Sequence, residues 1–250
     1  MKTEKTSVPW NPWWGVAFVL LVFYAAQLAA GLLVWIYPLL HRWSGARTTD
    51  WLNTVPAQFV FILIAETLTI GAIYWFLKKR GLKLSFIGLK RPRWRDAGYA
   101  LMAVPAYYLL YILTVGVASS LDKSLNINQQ QQIGFNDVHG AAALTMTFIS
   151  LVVLPPLAEE IMVRGFLYST LKKAMRMRYA VLATSALFAA AHLPEGGAAG
   201  PLYIAALDTF VLSLVLIYLR EKTGSLWASI TLHAIKNGIA FIALFVIHAK

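Results

Sequence analysis

The sequence predicts an all-α membrane protein, a polytopic transmembrane helix bundle of about seven to eight membrane segments forming one domain over residues 1–250. Three observations predict it. Hydrophobic residues make up 59% and charged residues 13% of the chain, with a mean hydropathy of +0.63, a balance that leaves too little polar surface for a soluble domain. Apolar runs of about 20 residues recur, the length a helix needs to cross a hydrocarbon core of about 30 Å, and helices satisfy their own backbone groups there. The basic residues alternate between loops as a membrane topology demands.

In order, the predicted segments run at about 13–40, 55–78, 97–120, 139–156, 157–174, 179–193, 201–219 and 225–248. The first follows Lys2 and Lys5, is too long for a signal-peptide core and has no small-residue cleavage site, so it reads as a retained helix. The second and third are joined by LKLSFIGLKRPRWRD, residues 82–96. Its mixed basic and aromatic residues suit an anionic leaflet and equally suit a solvated basic loop. NINQQQQIGFND, residues 126–137, is polar and short of charge, and reads as a flexible loop on the outer side. Segments 139–156 and 157–174 make one crossing together, bent at Pro155-Pro156, where proline removes a donor and crowds the preceding turn. Seven crossings result.

With the N-terminus cytoplasmic, sixteen of the 22 Lys and Arg fall inside: Lys2, Lys5, eight from Lys78 to Arg95, four from Lys172 to Arg178, and Arg220 with Lys222. Arg42, Arg47, Lys123 and Lys250 fall outside. The net charge of +11 is therefore topological, and the expected partners are membrane lipids and no nucleic acid. The expected location is the cell membrane, multi-pass, with the active-site opening on the cytoplasmic side. The absence of cysteine excludes disulfides, a thiolate-held zinc and a cysteine nucleophile.

Ionisable residues within spans cost about 2.5–3.5 kcal/mol each on insertion scales, so each needs a partner, a cavity or a function. Here they are Glu66, Glu159, Glu160, Arg164, His192, Asp208, His233 and Lys236, with Asn237 one turn after His233. Glu66, Asp208 and Lys236 read as structural, for instance as an ion pair of Lys236 with one of the acids. His41, His139 and His248 sit at span ends, and the Trp13-Trp14, Trp43 and Trp94 positions suit an interfacial belt.

Three of the ionisable residues share a depth. Glu160 lies twelve residues before Lys172, His192 fourteen after Arg178 and His233 eleven after Lys222, which at helical rise is roughly 16–21 Å from the basic end for all three. Glu160 and Arg164 are spaced i, i+4 with the acid first, the favourable order for a helical ion pair. Glu159 points about 100° away around the helix and has no local cation, which makes it a candidate general base. His233 and Asn237 stack on one helix face, and both donate hydrogen bonds.

Amide hydrolysis needs an activated water and a stabilised oxyanion. The candidate catalytic set is Glu159, Glu160, His192, His233 and Asn237, with Arg164 as ion-pair partner. Glu159 with His192 is assigned to the water, His233 with Asn237 to the oxyanion. A zinc ion held by Glu159, His192 and His233 is the alternative; the residues serve either arrangement, and no cofactor is favoured.

Glu159-Glu160-Ile-Met-Val-Arg164-Gly165 matches an EExxxR motif, Phe188-Ala-Ala-Ala-His192 an FxxxH motif and His233-Ala-Ile-Lys-Asn237 an HxxxN motif. In this order they resemble the CPBP family, the CAAX proteases and bacteriocin-processing enzymes also called Abi. The resemblance covers about residues 139–248, including LPPLAEE and TGSLWASITLHA, while the first 120 residues are similar only in being helical spans. It implies an intramembrane endopeptidase in which Glu159 activates water with His192, and His233 with Asn237 forms the oxyanion site. Members are often labelled metalloproteases, and a metal-free glutamate mechanism is the favoured reading. The implied substrate is a membrane-associated or C-terminally lipidated, CAAX-type peptide or protein, with prenylation as one form. The HExxH, GxSG and GxGD signatures of other intramembrane proteases are absent. The rival reading is a non-catalytic immunity or scaffold protein that binds a peptide in the same cavity; a transporter would call for an inverted repeat, and none is found.

Overall fold

The computed structural model describes residues 9–129, 134–135 and 137–247, so Lys2, Lys5, His248, Lys250 and Gln130 to Gln132 lie outside the described residues. The described residues form eight helices. α1 (Pro12–Leu40), α2 (Gly45–Leu52), α3 (Val55–Lys78) and α4 (Trp94–Leu121) precede a 35-residue composite helix α5 (Gly140–Ala174), followed by α6 (Met177–Ala191), α7 (Tyr203–Thr223) and α8 (Leu226–Ile247). Six of them, all but α2 and α6, are long and apolar enough to cross a membrane.

The helix ends follow local chemistry. Asn11 caps α1 by accepting from the Trp13 N–H, Thr54 caps α3 through the Ala57 N–H, and Ser225 caps α8 through the Trp227 N–H. Pro12 and Pro56 sit in first turns, where no donor is lost. Along α1 the buried positions are Gly15, Val19, Val22, Ala26, Ala30, Val34 and Pro38, mostly small residues, while Leu20, Leu21, Leu28 and Leu32 are exposed. That is the pattern of a helix that packs through small side chains and turns its leucines to lipid.

Segments 139–156 and 157–174 form the single continuous helix α5. Its register alternates: α over Gly140–Phe148, π over Ile149–Val153, α over Leu154–Glu159, π over Glu160–Leu167 and α over Tyr168–Ala174. Pro155 and Pro156 fall in the first turn of the central α stretch, directly after a π stretch. A change of register rather than a break thus accommodates the two missing donors. The sixth predicted segment, 179–193, is α6; its 15 helical residues stop at Ala191, with His192 as the cap, so among the described residues six rather than seven predicted crossings are long enough to span.

The basic segments gather at one end of the bundle. Lys172 pairs with Glu221 at 2.6 Å, Arg220 donates to the Ile87 carbonyl, Arg93 donates to the Thr223 carbonyl, and the Trp227 indole N–H donates to the Lys90 carbonyl. Trp10, just before α1, packs there as well. Trp10 stacks on Phe166 of α5 with ring centres 4.9 Å apart, donates its indole N–H to Thr170, and meets Phe76 edge-on. This cluster joins α1, α3, α5 and α6, and a second core joins α4, α7 and α8 through Tyr107, Leu212, Leu216 and Leu232.

Candidate active site

Glu159 ends one α stretch of α5 and Glu160 opens the following π stretch, so adjacent carboxylates leave the helix in different directions. Glu160 turns inward. It and Arg164 are wholly buried, and the Arg164 guanidinium donates to Glu160 Oε1 at 2.7 Å. The Nδ1 of His233 donates to the same oxygen at 3.1 Å, tying α8 to α5. The Arg164 guanidinium also lies 4.1 Å from the centre of the Phe188 ring, a cation–π contact.

Glu159 turns outward and lines a cavity of about 240 Å³ together with His192, His233, Asn237, Asp208 and Lys236. Its Oε2 is buried and makes no hydrogen bond among the described residues; Nε2 of His233 lies 3.9 Å from it. A second cavity, of about 340 Å³ and mostly apolar, opens between α1, α3, α5 and α6. Glu159, Phe188, His192 and Glu195 line both.

His192 caps α6, with Nδ1 2.7 Å from the Phe188 carbonyl. A carbonyl only accepts, so Nδ1 carries the proton and the neutral ring presents Nε2 as an acceptor. The Phe188 ring meets His192 edge-on at 4.7 Å and His233 at 6.3 Å. The FxxxH phenylalanine therefore touches the guanidinium and both imidazoles, a role the motif alone does not convey.

The hydrogen bonds differ from the sequence reading in one respect. His233 and Asn237 were both expected to offer their donors to an oxyanion. In the structure the Nδ1 proton of His233 serves Glu160, and an amide N–H of Asn237 donates to the Leu151 carbonyl at 2.9 Å. One Asn237 N–H and the His233 Nε2 are left for the cavity that both residues line.

Among the acids read as structural, Asp208 takes the Lys236 ammonium at 3.0 Å and the Tyr107 hydroxyl, linking α4, α7 and α8. Glu66 of α3 instead lines the apolar cavity without an ion pair or hydrogen bond among the described residues. Sequence reasoning missed Glu195 altogether. It lies in the turn Leu193–Ala199 with Oε1 3.8 Å from His192 Nε2, and burial pushes its carboxyl up to about 7. Its i, i+3 spacing from His192 was the available signal.

Zinc is tested by the donor geometry. Among the described residues no three His, Asp or Glu side chains converge as a metal ligand set, and Glu159, His192 and His233 line one cavity without forming one. The arrangement instead offers a partly exposed carboxylate, an imidazole acceptor and amide donors around one space.

Fold and site together define a polytopic helical membrane protein with a carboxylate–imidazole cavity inside its bundle. Residues 141–239 match the family model of type II CAAX prenyl endopeptidases described as Rce1-like. The matched segment covers about two fifths of the chain and holds all three motifs, so the similarity to the CAAX protease family lies in this segment. Neither the curated proteins nor the solved structures yield a match.

Proposed function

We propose that this chain is an intramembrane endopeptidase that hydrolyses a peptide bond of a membrane-associated or C-terminally lipidated, CAAX-type protein, using water activated by Glu159 and His192. The observation that carries the reading is the meeting of Glu159, His192, His233 and Asn237, from three helices, around one cavity. The substrate class rests on the Rce1-like match.

In this mechanism a water sits between Glu159 and the Nε2 of His192. Glu159 takes one proton while the imidazole accepts the second O–H and orients it. The oxygen attacks the carbonyl carbon, and the developing oxyanion takes the remaining Asn237 N–H. As the C–N bond breaks, the proton held by Glu159 passes to the departing nitrogen. Glu160 and Arg164 act through His233, holding its ring by the Nδ1 bond. The route needs no metal, so strong chelation is expected to leave turnover largely intact; complete loss restored by zinc would overturn it.

The test is cleavage of lipidated and unlipidated peptides by purified protein. Glu159→Ala and His192→Ala are expected to lose at least about a hundredfold in rate while the protein stays folded and membrane-inserted. Full activity in either variant overturns the assignment.

A further inference from the structure

The apolar cavity holds one carboxylate, Glu66, with no hydrogen bond or ion pair among the described residues. Val19, Leu20, Phe23 and Met162 supply its walls, Glu66, Glu159 and Glu195 its carboxylates, and no lysine or arginine is among the described residues that line it. The cations near the site are engaged elsewhere: Arg164 donates to Glu160, and Lys236 pairs with Asp208 in the other cavity. Glu66 lies within a crossing helix, half-buried and without a hydrogen bond or ion pair among the described residues. A carboxylate at such depth calls for a partner, and the described residues provide none on this face.

The cavity is continuous with the reacting centre, since Glu159 and His192 line it too, so a substrate residue beside the cleaved bond is within its reach. Resting on the endopeptidase reading, we propose that Glu66 is a specificity residue: the cavity receives a substrate side chain with an aliphatic stem and a cationic head, lysine or arginine, next to the scissile bond. The stem lies along the apolar walls, as long basic side chains do at apolar surfaces. The head supplies Glu66 with a charge-assisted hydrogen bond.

The experiment compares peptides that carry lysine, arginine, norleucine or prenylated cysteine at each position flanking the cleaved bond, which mass spectrometry locates. For the wild-type protein, lysine and arginine are expected to exceed norleucine about ten- to hundredfold in kcat/KM, the range for a hydrogen bond to a charged group. Glu66→Gln is expected to bring that ratio close to one. Wild-type protein that treats norleucine as well as lysine on both sides of the cleaved bond, whether or not the opposite side carries prenylated cysteine, overturns the proposal. Dissociation constants of the same peptides on the Glu159→Gln protein read the cavity apart from the chemistry. Equal affinity for lysine and norleucine overturns the proposal, whereas a lysine preference in binding without turnover in the wild type sinks only the endopeptidase reading.

Discussion

Glu160 and Arg164 show how a charge survives inside the bundle: each is wholly buried, each partners the other, and Phe188 and His233 add a cation–π contact and a hydrogen bond. Removing one partner leaves an uncompensated buried charge, which costs about 3–5 kcal/mol, whereas removing both costs less. Arg164→Met is therefore expected to lower the unfolding temperature in detergent more than the Glu160→Gln/Arg164→Met double variant does. A double variant as unstable as the single, or more so, would show that the pair contributes by shape rather than by charge. The i, i+4 spacing made this pair legible in the sequence, and the outward turn of Glu159 followed from its adjacency. Glu195 was legible only as an i, i+3 neighbour of His192, because a turn residue carries no periodicity and its approach depends on how the chain leaves α6.

At the scale of the element, two π stretches flank the short α stretch of α5 that ends at Glu159. Pattern reading assumes 3.6 residues per turn, so a local i→i+5 register is invisible to it; the prolines signalled that something happens near residue 155, not what. The connection before α4 presents a second constraint. Gly88 has φ +96°, and a Cβ there would lie 2.6 Å from the Arg220 guanidinium, which donates to the Ile87 carbonyl. Gly88→Ala is expected to cost about 1–3 kcal/mol, read as a lower melting temperature. An unchanged melting temperature would mean that the loop and Arg220 shift together without strain.

For the whole molecule, the sorting of basic residues read from the sequence corresponds to one physical end of the bundle, where residues of 86–93, 172–173 and 220–227 meet. That end is expected to face the cytoplasm. The chain has no cysteine, so single cysteines report sidedness without background. Lys90→Cys should react with an impermeant thiol reagent only in inverted vesicles and Asn126→Cys only in intact cells; the reverse pattern would invert the topology. The helical class and the six long apolar helices were legible because insertion cost and helical rise are properties of the chain itself. The two cavities and the seating of Trp10 against Phe166 were not, since they arise from packing between distant segments. The early end of α6 carries a consequence for the lipid. Fifteen residues rise about 22 Å, against a hydrocarbon core of about 30 Å. A helix this short is met by local thinning of the bilayer or by flanking residues that reach for the interface, and either response is expected to bring water closer to His192 and to a reaction that consumes it.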